Sequence, residues 1–119
     1  MLILYNMQSY QLFIYLSQNT SLLIGKLGFF NFPKGTYIYT GSAKKNLDAR
    51  VKRHFVKEKK LHWHIDYFLN NKKAEIIEVI KSKFDECNLN QSFNGKIIAK
   101  GFGSSDCKQF CVSHLKYSL

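Results

Sequence analysis

The feature that most constrains this chain is a change of period between Thr36 and Lys57. Thr36–Thr40, T-Y-I-Y-T, is β-branched and aromatic throughout and predicts a strand that stops at Gly41. From Asn46 to Lys57 the pattern becomes helical. Leu47, Val51 and Phe55 recur every fourth residue and predict the buried stripe, with Asn46 as the N-cap. His54 falls beside that stripe and Arg50 on its flank, and Arg53 and Lys57 continue the flank outward. A strand ending in glycine therefore meets a helix edge rich in cations. Glycine at a strand end lets backbone or phosphate approach closely. A guanidinium such as Arg50 offers a fork suited to phosphate oxygens. The plain alternative is a strand, a turn and a solvated basic helix face.

The rest of the chain reads as a small α+β domain. Tyr10–Ser17 alternates, with Leu12, Ile14 and Leu16 on one face and Phe13 and Tyr15 on the other. Asn19-Thr20 is a turn signal, and Leu22–Lys26 predicts a second strand forming a hairpin with the first. Gly25, Gly28, Pro33 and Gly35 punctuate what reads as a Phe-rich loop. Further on, the pattern predicts a helix over His62–Asn70, a strand over Ala74–Lys81, a helix over Asp85–Phe93 capped by Asp85, and a short strand over Lys96–Lys100. The expected architecture is a three-stranded antiparallel core sheet with an N-terminal hairpin extension, flanked by helices, in one domain over 1–119.

Charge narrows the function. Eighteen Lys and Arg against eight Asp and Glu leave +10 at neutral pH. Such an excess attracts polyanions and makes phosphate-backbone binding salt-sensitive, although it also describes an uninvolved basic surface. Three cysteines cannot all pair. Met1–Tyr5 is apolar but too short for a signal peptide and lacks a basic flank. No apolar run approaches the ~18 residues of a membrane span. These features predict a cytoplasmic protein with reduced thiols.

The run Tyr39–Phe55, Y-T-G-S-A-K-K-N-L-D-A-R-V-K-R-H-F, resembles the second half of the GIY-YIG nuclease motif. Tyr39, Gly41, Ser42, Leu47, Arg50 and His54 occupy the matching positions, and Thr40 replaces the usual Ile or Val. Gly35-Thr36-Tyr37 looks like the first half but lies too close to Tyr39, because the superfamily places its two tyrosines on separate strands. Tyr10 fits that place better, with Leu22–Lys34 as an insertion. The chain also resembles a narrower family, the small GIY-YIG-like domains found alone or fused to endonuclease III. That match is carried by G-T-Y-I-Y-T-G-S-A, by K-K-L-H-W-H-I-D-Y at Lys59–Tyr67, by Glu86-Cys87, by G-F-G-S-S-D-C at Gly101–Cys107 and by Ser113–Leu115.

The resemblance implies a metal-dependent endonuclease that hydrolyses nucleic-acid phosphodiesters, DNA more readily than RNA, with a role in repair or recombination. It implies Tyr10, Tyr39, Arg50, His54 and Glu86 as catalytic residues, with Glu86 holding one Mg²⁺ or Mn²⁺. Tyr10 or Tyr39 would take a proton from water, which requires nearby cations to lower a phenol pKa of about 10. Glu86 also reads as an ordinary first-turn helix acid.

Candidate nucleic-acid contacts are Ser42, Lys44, Lys45, Arg53, Lys57, His62 and His64. His62 and Asp66 share a helix side, so Asp66 is placed to orient an imidazole; a structural His-Asp bond with Trp63 in the core is the alternative. Cys107, Cys111 and His114, with Cys87 as a further candidate, raise Zn²⁺, although three ligands fall short of the usual four. Buried thiols acting as small hydrophobes would look the same. Ser104, Ser105 and Asp106 suit a turn or a phosphate-contacting loop. Phe29, Phe30 and Phe32 suit a core, or base stacking. Two rival functions remain: a non-catalytic nucleic-acid-binding module of the same fold, and a zinc-stabilised interaction domain.

Overall fold

The computed structural model describes residues 7–43, 45–103 and 111–118. Strand β1 (Ser9–Leu16) is central to an antiparallel sheet. It pairs on one side with β4 (Gly35–Ser42) and on the other with β5 (Ala74–Ser82), and β6 (Leu115–Ser118) pairs with β4. The order is β5-β1-β4-β6. The expected three core strands are thus joined by a fourth. Lys96–Lys100 does not form the expected strand and contributes only a bridge from Lys96 to Tyr117.

Alternation assigns the two faces. Leu12, Ile14 and Leu16 are fully buried, while Tyr15 on the opposite face is partly exposed. Residues opposite one another in an antiparallel pair share a face. Leu12 lies opposite Tyr39 and Tyr10 opposite Gly41, so both tyrosines project from the same side of the sheet.

The extension hairpin exists, but with different partners. The strand β2 (Thr20–Ile24) pairs with β3 (Gly28–Phe32) as a separate two-stranded sheet, rather than with β1. A single 3-10 turn at Gly25–Leu27 joins them. The region that reads as a Phe-rich loop is therefore largely strand. Ile24 and Phe32 plug the core, and Phe32 packs edge-on to Phe68 with ring centroids 5.0 Å apart. Phe30 packs against the core margin, whereas Phe29 is exposed.

Helix α1 (Leu47–His54) follows β4. Asn46 precedes it in the left-handed conformation, φ 54°, and makes no side-chain cap. Leu47, Val51 and His54 form the buried stripe, at i, i+4 and i+7. Phe55 is exposed instead, because the helix ends before it. Lys59 donates to the carbonyls of Arg53 and His54 at that end. Helix α2 (His64–Leu69) buries Ile65, Phe68 and Leu69. Helix α3 (Glu86–Gln91) is capped by Asp85, which accepts from the Asn88 N–H at 2.9 Å. Lys116 donates to the carbonyls of Asn90 and Phe93 at its far end. No helix among the described residues is long and apolar enough to cross a membrane.

Candidate active site

The cleft begins with a glycine. A Cβ at Gly41 would sit 2.5 Å from the Tyr10 hydroxyl, so only glycine lets the Tyr10 ring lie across β4. That places the Tyr10 hydroxyl 2.7 Å from Nε2 of His54, which reaches in from α1. His54 is 1% exposed, and its Nδ1 has no hydrogen-bond partner. Burial, reinforced by the charge of Lys59, brings its pKa down to about 4, so the ring is neutral.

Burial also pushes the Tyr10 and Tyr39 hydroxyls well above the ordinary phenol range. Arg50 pulls in the opposite direction at both and does not prevail. The expectation that nearby cations lower a tyrosine pKa is therefore not met: desolvation outweighs them.

One wall is charged and saturated. Arg53 pairs with Asp66 through two N–H···O bonds, at 2.8 and 3.0 Å. Asp66 also accepts the backbone N–H groups of His62 and Trp63, each at 2.9 Å. Burial alone would raise its pKa, but the Arg53 and backbone hydrogen bonds overcome that and lower it. Asp66 therefore shapes the start of α2 and does not orient the His62 imidazole. Both guanidiniums stack on Trp63, Arg50 at 4.6 Å and Arg53 at 4.5 Å from the ring centroid. Arg50 donates to the Ser42 carbonyl at 2.7 Å. The rest of its fork has no hydrogen-bond partner among the described residues.

Glu86 also lines the cleft, and its side chain is 26% exposed. Its Oε2 lies 3.4 Å from Nδ1 of His114, within ion-pair reach but not aligned as a hydrogen bond. His114 is fully buried. Its Nε2 faces the Cys87 sulfur at 4.0 Å. Cys87, Cys111 and His114 offer donor atoms within 4.8 Å of one another, close enough to hold one metal ion. Reduced thiols are the expectation from the sequence; Cys87 is instead disulfide-bonded, and Cys111 is a free thiol. Cys107, Ser104, Ser105, Asp106 and Lys44 lie outside the described residues.

The cleft encloses about 300 Å³. Tyr10, Tyr39, Arg50 and Glu86 all line it, with His54 directly behind Tyr10. Ser42, His62 and His64 line it too. Lys57 does not belong with them, because it donates to the carbonyls of Leu69, Asn71 and Ala74 and ties α2 to β5. Arg53 reaches the cleft only as the partner of Asp66 and Trp63, and Lys45 is exposed.

Two further residues line the cleft: Trp63, which the sequence shows within the His62–Asp66 cluster, and Gly103, which it does not single out. The Gly103 N–H donates to His64 Nδ1 at 2.9 Å. Nδ1 is thus the acceptor, and the neutral His64 ring carries its hydrogen on Nε2. Burial lowers the His64 pKa and favours that neutral form. The signals available for these two are the G-F-G run and a tryptophan between two histidines.

Glu86 supplies one hard carboxylate to the cleft, while Asp66, the other carboxylate beside it among the described residues, is fully used. Mg²⁺ suits such a donor, since it keeps several waters and needs only one or two carboxylates plus substrate phosphate. No curated protein and no solved structure matches this chain. The family model for the domain of unknown function DUF123 does match, over residues 9–119, and the chain belongs to that family.

Proposed function

We propose that this cleft is the active site of a GIY-YIG-type endonuclease that hydrolyses nucleic-acid phosphodiesters, DNA in preference to RNA. The observation that carries the reading is the convergence of Tyr10, Tyr39, Arg50 and Glu86 on one cleft, with a neutral His54 behind Tyr10. These residues come from β1, β4, α1 and α3, far apart in sequence, and a plain basic surface gives no reason for them to meet.

Glu86 would hold the Mg²⁺ or Mn²⁺, which supplies Lewis-acid stabilisation of the leaving oxygen. The chain's own residues do the rest. The tyrosines stay protonated, so neither acts as a phenolate. With its hydrogen on Nδ1, His54 accepts from Tyr10, and the Tyr10 oxygen turns its lone pairs to the cleft. A water there gives its proton to Tyr10 Oη as Tyr10 passes its own to His54 Nε2. The water oxygen forms a bond to phosphorus, the bond to the leaving oxygen breaks, solvent protonates that oxygen, and His54 gives its extra proton back through Tyr10 to solvent. The free part of the Arg50 fork stabilises the extra charge on the phosphoryl oxygens. His64 donates from Nε2 to the same group, and Trp63 holds Arg50 in place.

At the thiol pocket, sulfur and imidazole select Zn²⁺ rather than a hard cation. A role in repair or recombination fits a nuclease that favours DNA and carries a net charge of +10. Incubation with supercoiled plasmid and branched DNA in Mg²⁺ or Mn²⁺ tests the reading, and metal-dependent nicking is expected. Salt-sensitive binding without cleavage in either ion identifies the non-catalytic module instead.

A further inference from the structure

We propose that Cys87, Cys111 and His114, once Cys87 is reduced, bind one Zn²⁺, and that this ion positions the cleft carboxylate Glu86 through the His114 ring. The donor atoms lie within 4.8 Å of one another, and Nε2 of His114 is the ring nitrogen turned to the Cys87 sulfur, at 4.0 Å. The other nitrogen, Nδ1, is buried without a hydrogen bond, 3.4 Å from Glu86 Oε2. A metal-ligating histidine commonly directs its second N–H to a carboxylate. Zinc on Nε2 leaves the hydrogen on Nδ1, which then donates to Oε2 and leaves Oε1 for the cleft. A small hydrophobic sulfur would account for the burial of Cys87 but not for the unpartnered imidazole nitrogen.

The frame around the ring is rigid. The His114 carbonyl accepts from the Thr40 N–H at 2.9 Å, and its N–H donates to Phe102 at 2.8 Å. Cys87 directly follows Glu86 on α3, and Cys111 sits 3.9 Å from the Cys87 carbonyl oxygen. Motion of the sulfur and motion of the carboxylate are therefore linked through one short helix. The fourth zinc position falls to water.

The site forms only in the reduced chain. A dithiol reductant supplies two electrons and two protons to the Cys87 disulfide and becomes a cyclic disulfide itself. Zinc then displaces the protons of the Cys87 and Cys111 thiols. The importance of Glu86 to catalysis rests on the nuclease reading, but metal binding can be measured without it.

The full-length chain, reduced with dithiothreitol and freed of metal, is titrated with Co²⁺ and then Zn²⁺ in a chelator competition. One equivalent is expected, with the near-ultraviolet band of cobalt-bound thiolate, and Cys111→Ser should abolish that band. Glu86→Gln should keep the stoichiometry and lose about 10–100-fold in affinity, the usual effect of removing a carboxylate behind a ligating histidine. No stoichiometric binding by the reduced wild type, or an unchanged band in Cys111→Ser, overturns the site. Unchanged affinity in Glu86→Gln overturns the link to the cleft. A chain that binds zinc in this way but cuts no nucleic acid leaves the metal site standing and removes the nuclease.

Discussion

Two histidines occupy equivalent depths in this molecule and are set up for different work. His54 and His114 are each buried almost completely, and each has an Nδ1 without a hydrogen bond. Around His54 stand a phenol and the rings of Tyr39 and Trp63, with Lys59, Arg50 and Arg53 raising the cost of a positive charge. That ring is kept neutral, as a proton acceptor must be. Around His114 stand a carboxylate and a sulfur on opposite sides. On the proposed reading, the same imidazole would serve as a relay in one pocket and as a metal ligand in the other. Glu86 lies between the two.

Glu86→Gln should have the largest effect, since it touches both pockets: cleavage falls on the order of 10³-fold, as for loss of a major charge-stabilising group. Single-turnover rates on a nicked-product assay would show it. A variant that lost cleavage but kept zinc affinity would separate the two pockets.

Asp66→Ala should cost about 3 kcal/mol in urea unfolding, because Arg53 then loses its partner beside the cleft and two backbone N–H groups lose theirs. Such a loss would place the charged wall in the frame rather than the chemistry. His54→Gln keeps a hydrogen bond to Tyr10 but cannot take the proton, so a drop of about 10²-fold in rate with an intact fold is expected. An unchanged rate would make His54 merely a packing residue.

Acid should also reveal the burial of His54. The unfolded His54 ring titrates near 6.5 and the folded one near 4, so between those values the unfolded chain binds the extra proton. Stability should therefore fall as pH drops from about 6.5 to about 4, with no His54 contribution to the slope above that window. Urea midpoints across the range measure this, and the slope should shrink in His54→Gln. The smallest effect belongs to Phe29→Ser, within about 0.5 kcal/mol, because that ring already faces water.

Much of the cleft is legible through the resemblance to the nuclease motif, which singles out Tyr10, Tyr39, Arg50 and Glu86, and these four line one cleft. What failed depended on three-dimensional context. Gly25, Gly28, Pro33 and Gly35 made the second arm of the hairpin look like a loop, yet Gly28–Phe32 alternates like any strand. Phe55 continued a four-residue repeat, but the helical period of 3.6 gives the inward slot to His54. Lys57 looked like a phosphate contact because a sequence does not show which carbonyls will surround an ammonium. The tyrosine pKa expectation counted the cations correctly and missed burial, which no local pattern reveals. Trp63 and Gly103 carry no charge to mark them, and their roles come from what packs on them.

Arg50 offers the most direct test, because its free fork faces the cleft while its loss leaves the Tyr10–His54 pair and the thiol pocket intact. Cleavage of plasmid and branched DNA should be compared for the wild type and Arg50→Ala in Mg²⁺ and Mn²⁺, with matched thermal unfolding. The account requires metal-dependent cutting by the wild type and a loss of at least about 10²-fold in the variant at unchanged stability. Equal cutting by both proteins, or none by the wild type in either ion, would contradict it.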